Sequence, residues 1–343
     1  MVTMKNNTTI LLNHGSGGRL TRQLIDEVFG AHFSNPLLDG RTDASLLQME
    51  QRTVALTTDS FVVHPRFFHG GDIGKLAVCG TVNDLAVSGA RPVALSAAFI
   101  IEEGFSIDEL DRIVASMAKT AKDAEVAIIT GDTKVVNRGK ADGLFITTTG
   151  IGAIEEERRP IGTGAMVAPG DAVVINGPIG DHGMAILAAR NDLPFAAEVK
   201  SDCAPLAGMI GEVLACCAGK VTFMRDATRG GLGTVLCELA EMTGKNIVIE
   251  EEKVPVRRVV RTMCEMFGFD PLFIANEGKV VMAVRPEAAE QVLSVMKKHI
   301  CGSEAQIIGT VEKQDKGTVS IATTVGGHRI IAIPAGDQLP RIC

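Results

Sequence analysis

Four aspartates occur where the chain turns or a strand ends: Asp59 in TTDS, Asp84 in VNDLA, Asp132 in TGDT and Asp226 in RDATRGG. Carboxylates gathered at one sheet edge can hold Mg²⁺, which in turn bridges the oxygens of a polyphosphate. Each aspartate alone equally suits the cap of a turn or helix. The interleaving of all four with glycine favours a shared role. RDATRGGLG adds adjacent glycines opening a helix, where backbone N–H groups can approach an anion and Thr228 and Arg229 are further donors. A simple tight turn is the competing reading. HGSGG at residues 14–18 could close over phosphates with His14 as a contact, or form a Gly-rich arm. The chain has no GxxxxGK[ST], and no GxGxxG follows a strand, so a bound nucleotide requires another architecture.

The composition agrees with a polyphosphate site more than with a nucleic-acid one. The 343 residues carry a net charge of −7, leaving no basic excess to neutralise a phosphate backbone. Thirteen Phe but no Trp or Tyr weaken base-stacking platforms and cation cages. Hydrophobic residues at 46% and charged ones at 22% give a globular balance, long enough for two or three domains. The N-terminal MVTMKNNTTILL fits neither a signal peptide nor a transit helix, and the apolar stretch from Val93 to Ile101 is too short to span a bilayer. The expectation is a cytoplasmic protein. Eight Cys include no CxxC, and the seven internal ones read as buried reduced thiols, with only one of Cys216 and Cys217 facing the core. The seven His are scattered, and His64 and His69 flank Pro65, which is no helical two-ligand face for zinc.

The elements that must position these residues alternate. TVALTTDSFVV reads as a strand with Asp59 near its end, and GKLAVCGTVNDLAVSGA as a helix carrying Asn83 and Asp84. After the strand PVALSAAFII, a helix begins with the capping box Ser106 and Glu109. VAIIT leads into GDTK, and GLFITTTGIGAI forms a strand before the charged break EEERRP at 155–160. Strands DAVVI, VTFMRD, NIVIE and KVVMAV alternate with helices in the second half. This is an α/β (α+β) chain of two α/β domains. Its expected divisions are a Gly-rich arm and first helix over 1–40, one domain over 41–155, a second over 165–333, and a mobile or extended tail over 334–343. The eight residues from Gly336 to Cys343 can span about 26 Å at about 3.3 Å each, so the terminal thiol could visit two sites. Arg341 favours its thiolate and the adjacent carboxylate disfavours it, leaving its pKa open, and an inert frayed thiol is the plain alternative.

Together NHGSGG, TTDS, GTVNDLAVSGARP, TGDTKVV, RDATRGG, ANEGK and the terminal PRIC closely resemble the HypE family of hydrogenase maturation proteins, the carbamoyl dehydratases, nearly end to end. Most internal motifs are shared with a wider ATP-binding superfamily that includes selenophosphate synthetase and aminoimidazole ribonucleotide synthetase. PRIC is particular to this branch. The resemblance implies a homodimer through the N-terminal sheet, a C-terminal α/β domain, and ATP with Mg²⁺ held between domains. It also implies that Cys343 receives a carbamoyl group from a partner carbamoyltransferase. The S-carbamoyl group is then dehydrated to S-cyanate (thiocyanate) with ATP, and cyanide passes to iron on a scaffold complex serving NiFe hydrogenase. Expelling the carbamoyl oxygen is far easier as phosphate than as hydroxide, which suits ATP as an activating reagent. A base must also take the nitrogen protons. The resemblance gives that proton movement and oxygen polarisation to Glu277 and Lys134, whose plain readings are a loop carboxylate and a surface lysine. It points to Asp59, Asp84 and Asp226 for the metal, with Asp43 of RTDAS and Asp132 at the margin, and to Asn83, Asp84, Asp132, Thr228 and Arg229 for the nucleotide. His14 joins the catalytic group, Pro340 stiffens the arm and Ile342 docks it. A kinase or synthetase for a free metabolite is the alternative enzyme, and a thiol-bearing carrier the non-enzymatic one.

Overall fold

The computed structural model describes residues 19–24, 26–27, 42–49, 52–193, 198–313, 316–334, 339 and 342–343. A short helix α1 (Arg19–Leu24) lies against the second domain, where Arg22 bridges Glu238 at 3.0 Å and Glu241 at 2.8 Å. The first sheet begins with β1 (Ser45–Met49) and β2 (Arg52–Phe61). A hairpin of β3 (Phe67–Phe68) and β4 (Gly71–Asp72) then feeds α2 (Ile73–Val87). The Asp72 carboxylate caps α2 by accepting from the N–H groups of Gly74 and Lys75 at 2.8 and 3.1 Å. Small and apolar residues cover almost every side of α2, so it is buried nearly all round. Next come β5 (Arg91–Glu102), α3 (Ile107–Asp123), β6 (Ala127–Val136) and β7 (Leu144–Ala153). Ser106 caps α3 by accepting from Glu109 N–H at 3.3 Å, and Ile113, Met117 and Ala121 face inward.

The sheet order is β1-β2-β7-β5-β6, with β5 and β6 parallel and the other pairs antiparallel. One expectation changes here. TGDT is no turn: Thr130 to Thr133 lie inside β6. A Cβ at Gly131 would collide with the Ala97 carbonyl of β5, so this glycine serves close strand approach instead of chain reversal.

The second sheet is built from β8 (Ala172–Ile175), β9 (Val221–Asp226), β10 (Asn246–Glu250), β11 (Val280–Val284), β12 (Gln306–Glu312), β13 (Val319–Ala322) and β14 (His328–Ile331). Its order is β14-β13-β10-β12-β8-β11-β9. Helices α4 (Asp181–Arg190), α5 (Ala207–Cys216), α6 (Gly231–Thr243), α7 (Arg258–Phe267) and α8 (Ala289–Met296) complete this half. One apolar cluster packs α6 on the sheet, and another packs α5 and α8 and reaches Ala86 and Val87 of α2. Every residue of β11 is buried, as its unbroken apolar run requires.

No disulfide joins the described cysteines; Cys217 is buried, its neighbour Cys216 is exposed, and Cys237 and Cys301 are half-buried. The expected mobile tail is seated at its end. Leu339, Ile342 and Cys343 are buried in the same cluster as α2 and α4. Pro340 lies outside the described residues. No described helix is long and apolar enough to cross a membrane.

Candidate active site

The end of β2, the middle of α2, the end of β9 and the loops at 227–231 and 276–278 converge on a cleft of about 50 Å³. Asp59, Asp84, Asp226, Thr228, Arg229 and Glu277 line it, and so does Cys343. Larger cavities lie elsewhere, one of about 390 Å³ beside α7 and one of about 870 Å³ between residues 198–205 and 298–304. Gathered charge, not size, singles out the small one.

That charge is strained. Burial, then repulsion from Asp59, Asp226 and Asp43, pushes the Asp84 carboxyl well above the ordinary range, although Thr57 donates a hydrogen bond to it at 2.8 Å. Burial and repulsion from Asp43 and Asp59 likewise push Asp226 well up. Asp59 is also raised by burial, against the pull of Arg229. Carboxylates that repel one another in a buried cleft are relieved by a cation. Among the described residues, no three His, Cys, Asp or Glu side chains are grouped to hold a metal ion by themselves. The donor set therefore fits Mg²⁺, which commonly takes one or two carboxylates and completes its shell with phosphate and water, and not a caged structural metal. Asp59, Asp84 and Asp226, which line the cleft together, could hold it. Asp43 stands behind them, paired to Arg225 at 3.2 Å, while Arg225 also holds Glu238 at 2.9 Å.

Glycine shapes the anion side. Gly230 and Gly231 take left-handed φ of 81° and 61°, and a Cβ on Gly231 would lie 2.6 Å from the Ile274 carbonyl. The turn leaves α6 with no side-chain cap, so its leading N–H groups suit an anion beside Thr228 and Arg229. Asn276 braces this loop to the next: its amide donates to Ala227 O at 2.7 Å and its oxygen accepts from Gly180 N–H at 2.8 Å. Glu277, buried beside it, is pushed well up by burial and by Cys203, Asp226 and Asp202, against Arg229. A carboxyl shifted in this direction suits proton exchange inside the cleft.

Several expected residues stand elsewhere. Asn83, read as a nucleotide contact, has its amide committed to Ala204 O at 3.1 Å and Glu277 O at 3.3 Å, and its oxygen to Leu206 N–H at 2.8 Å. It clamps the two domains together, because a buried amide must satisfy both its ends. Asp132 and Lys134 lie outside the cleft on exposed β6 and pair with each other at 2.7 Å. Hydrogen bonds from Lys134 and from Thr133 N–H hold Asp132 below its usual range. His14 is outside the described residues. Asp202, which no motif marks, and Lys279, the last residue of ANEGK, form a buried pair at 2.9 Å, and Asp202 also accepts from Glu277 N–H at 3.0 Å. Burial would raise Asp202, yet Lys279 and the hydrogen bond from Glu277 N–H hold it low. SDCAP reads as ordinary loop, so only the fold exposes this support.

Comparison with known proteins gives the family. Residues 41–154 match the AIR synthase related protein N-terminal domain, and residues 168–322 its C-terminal domain. The chain is 46% identical over 340 residues to the carbamoyl dehydratase HypE of Azotobacter vinelandii, covering 98% of each. A crystal structure of a HypE–HypF complex contains a chain 48% identical, with a TM-score of 0.85, covering 91% of this chain and 99% of that one. The hydrogenase maturation protein HypE in complex with ATP is 47% identical with a TM-score of 0.81, covering 98% of this chain and 100% of that one.

Proposed function

We infer, because this chain belongs to the HypE family of carbamoyl dehydratases, that it uses ATP to remove water from an S-carbamoyl group on Cys343. The net change is R–S–C(=O)NH₂ to R–S–C≡N, with ATP hydrolysed to ADP and phosphate. Bound with Mg²⁺, ATP supplies the phosphoryl group that makes the carbamoyl oxygen a good leaving group. The chain's own groups do the rest. Asp59, Asp84 and Asp226 hold the cation, while Arg229, Thr228 and the α6 N-terminus orient phosphate oxygens. Glu277 handles the two nitrogen protons, and burial around it keeps bulk water from competing. Lys134 stands outside the cleft of its own chain and receives no step within it.

The observation that carries this reading is the placing of Cys343, the last residue, in one buried cleft with three aspartates and Glu277. The HypE–HypF structure supports a carbamoyltransferase as loading partner. The product is an S-cyanate destined as cyanide for the iron of NiFe hydrogenase on a scaffold complex, and the working unit is a homodimer.

Intact mass spectrometry tests the reading. Given carbamoyl donor and the loading partner, the C-terminal peptide gains one carbamoyl group, which loses one water only with Mg-ATP. Cys343→Ala acquires neither change. An adduct that forms and dehydrates on that variant refutes the assignment.

A further inference from the structure

His182 is fully buried near the start of α4, and the proposed chemistry gives it no part. Its Nε2 lies 2.6 Å from the main-chain carbonyl of Ile342, one residue before the terminal cysteine. A carbonyl only accepts, so Nε2 carries the proton. Nδ1 lies 2.8 Å from Ser201 Oγ. That oxygen accepts from Cys203 N–H at 3.1 Å, leaving its O–H to donate to Nδ1. The neighbours thus fix one tautomer. Phe68 meets the imidazole edge-on, with centroids 5.5 Å apart and planes at 82°, and fixes the ring orientation. One residue further on, Val62 N–H donates to Cys343 O at 3.1 Å. Two apolar side chains anchor the same segment: Ile342 is 2% exposed, and Leu339 packs over Gly183, where an added Cβ would lie 3.3 Å from Leu339 Cδ1.

We propose that His182 is the positioning residue of a seat for the C-terminal arm, gripping the main chain beside Cys343. Both hydrogen bonds of the seat end on main-chain oxygens. These two contacts do not depend on what the sulfur carries, so the grip on the main chain is available before and after the arm is loaded. Fixing the arm converts an encounter between a tethered group and the cleft into a held geometry, which is worth more in rate than in stability. This consequence rests on the reading of Cys343 given above, whereas the seat itself does not.

Two measurements on the full chain separate them. In the first, with no nucleotide or partner, carboxypeptidase releases Cys343 and Ile342 about tenfold faster from His182→Leu than from the natural chain. His182→Gln, whose amide supplies an N–H near the place of Nε2, restores protection. Equal release from the natural chain and His182→Leu overturns the seat. In the second, the carbamoyl-loaded chain is mixed with Mg-ATP and water loss is followed in a single turnover. His182→Leu slows the step about tenfold or more with nucleotide affinity unchanged, and His182→Gln recovers it. An unchanged rate in His182→Leu overturns the positioning role. If His182→Leu does not fold, Leu339→Ala, which alters only the arm, gives the same two readouts. Should the natural loaded chain lose no water at all, the dehydratase reading fails and the carboxypeptidase result still decides the seat.

Discussion

Asp181 shows what one buried carboxyl does to the whole chain. Burial and repulsion from Asp202 raise it to about 6, against its pairing with Arg257 at 3.0 Å and the pull of Lys279. Between about pH 4 and 6 the folded chain keeps a proton that the unfolded chain releases, so this group's contribution to stability falls as pH rises and levels off above. The ceiling is about 3 kcal/mol. Urea midpoints of the natural chain and Asp181→Asn, compared at pH 4.5 and 7.5, should therefore differ more in favour of the variant at the higher pH. A constant difference would contradict the raised value. Glu277→Gln keeps the volume and removes the titration: nucleotide binding by thermal shift should persist while water loss from the loaded chain falls about a hundredfold or more. Asp59, Asp84, Asp226, Thr228 and Arg229 stand out in the sequence because acid, glycine and donor types sit together in short motifs, Glu277 enters only through the family resemblance, and the structure brings all six to one cleft. Asn83 shares VNDLA with Asp84 and Asp43 stands in RTDAS, but the fold uses them as a clamp and as the partner of Arg225, and only three-dimensional packing separates these uses.

At the scale of elements, glycine carried the most ambiguous signal. In RDATRGG it marks a left-handed turn into α6, in TGDT it marks a crowded strand pair, and composition alone does not distinguish them. The periodic helix from Ile107 and its Ser106 cap were legible because a capping box and an apolar stripe act locally. Gly131 needed the neighbouring strand. Gly231→Ala tests the turn: φ of 61° and a Cβ 2.6 Å from Ile274 O should cost about 2 kcal/mol or more. Gly244, at the far end of α6, also has a positive φ, of 70°, but open space around its absent Cβ, so Gly244→Ala should cost only about 1 kcal/mol. Thermal midpoints in one buffer rank the two, and equal falls would mean that crowding at Gly231 is relieved by loop movement.

For the molecule as a whole, β6 is the element a single chain leaves unfinished. Among the described residues it ends the first sheet, runs ten residues, and exposes nearly every side chain, including Ile129 and Val135, each 68% exposed. Ile128 and Ile129 also face a hollow of about 670 Å³ shared with Phe99, Val114 and Met117. A long edge strand with apolar residues on both faces invites pairing, and chains that stay single usually blunt such an edge with charge or cover. A second copy of the same chain is the cover that the proposed homodimer supplies, with self-complementary surfaces meeting across a two-fold axis. It also accounts for Asp132 and Lys134 lying on this strand and not in the cleft of their own chain. Ile129→Asp combined with Val135→Asp places buried charge in that interface and leaves the cores of both domains untouched. Light scattering behind size exclusion should therefore show the natural chain at twice the chain mass and the double variant at the single mass, with unchanged circular dichroism. A double variant that stays at twice the mass would move the interface away from β6, and a natural chain at single mass would leave this edge to another partner.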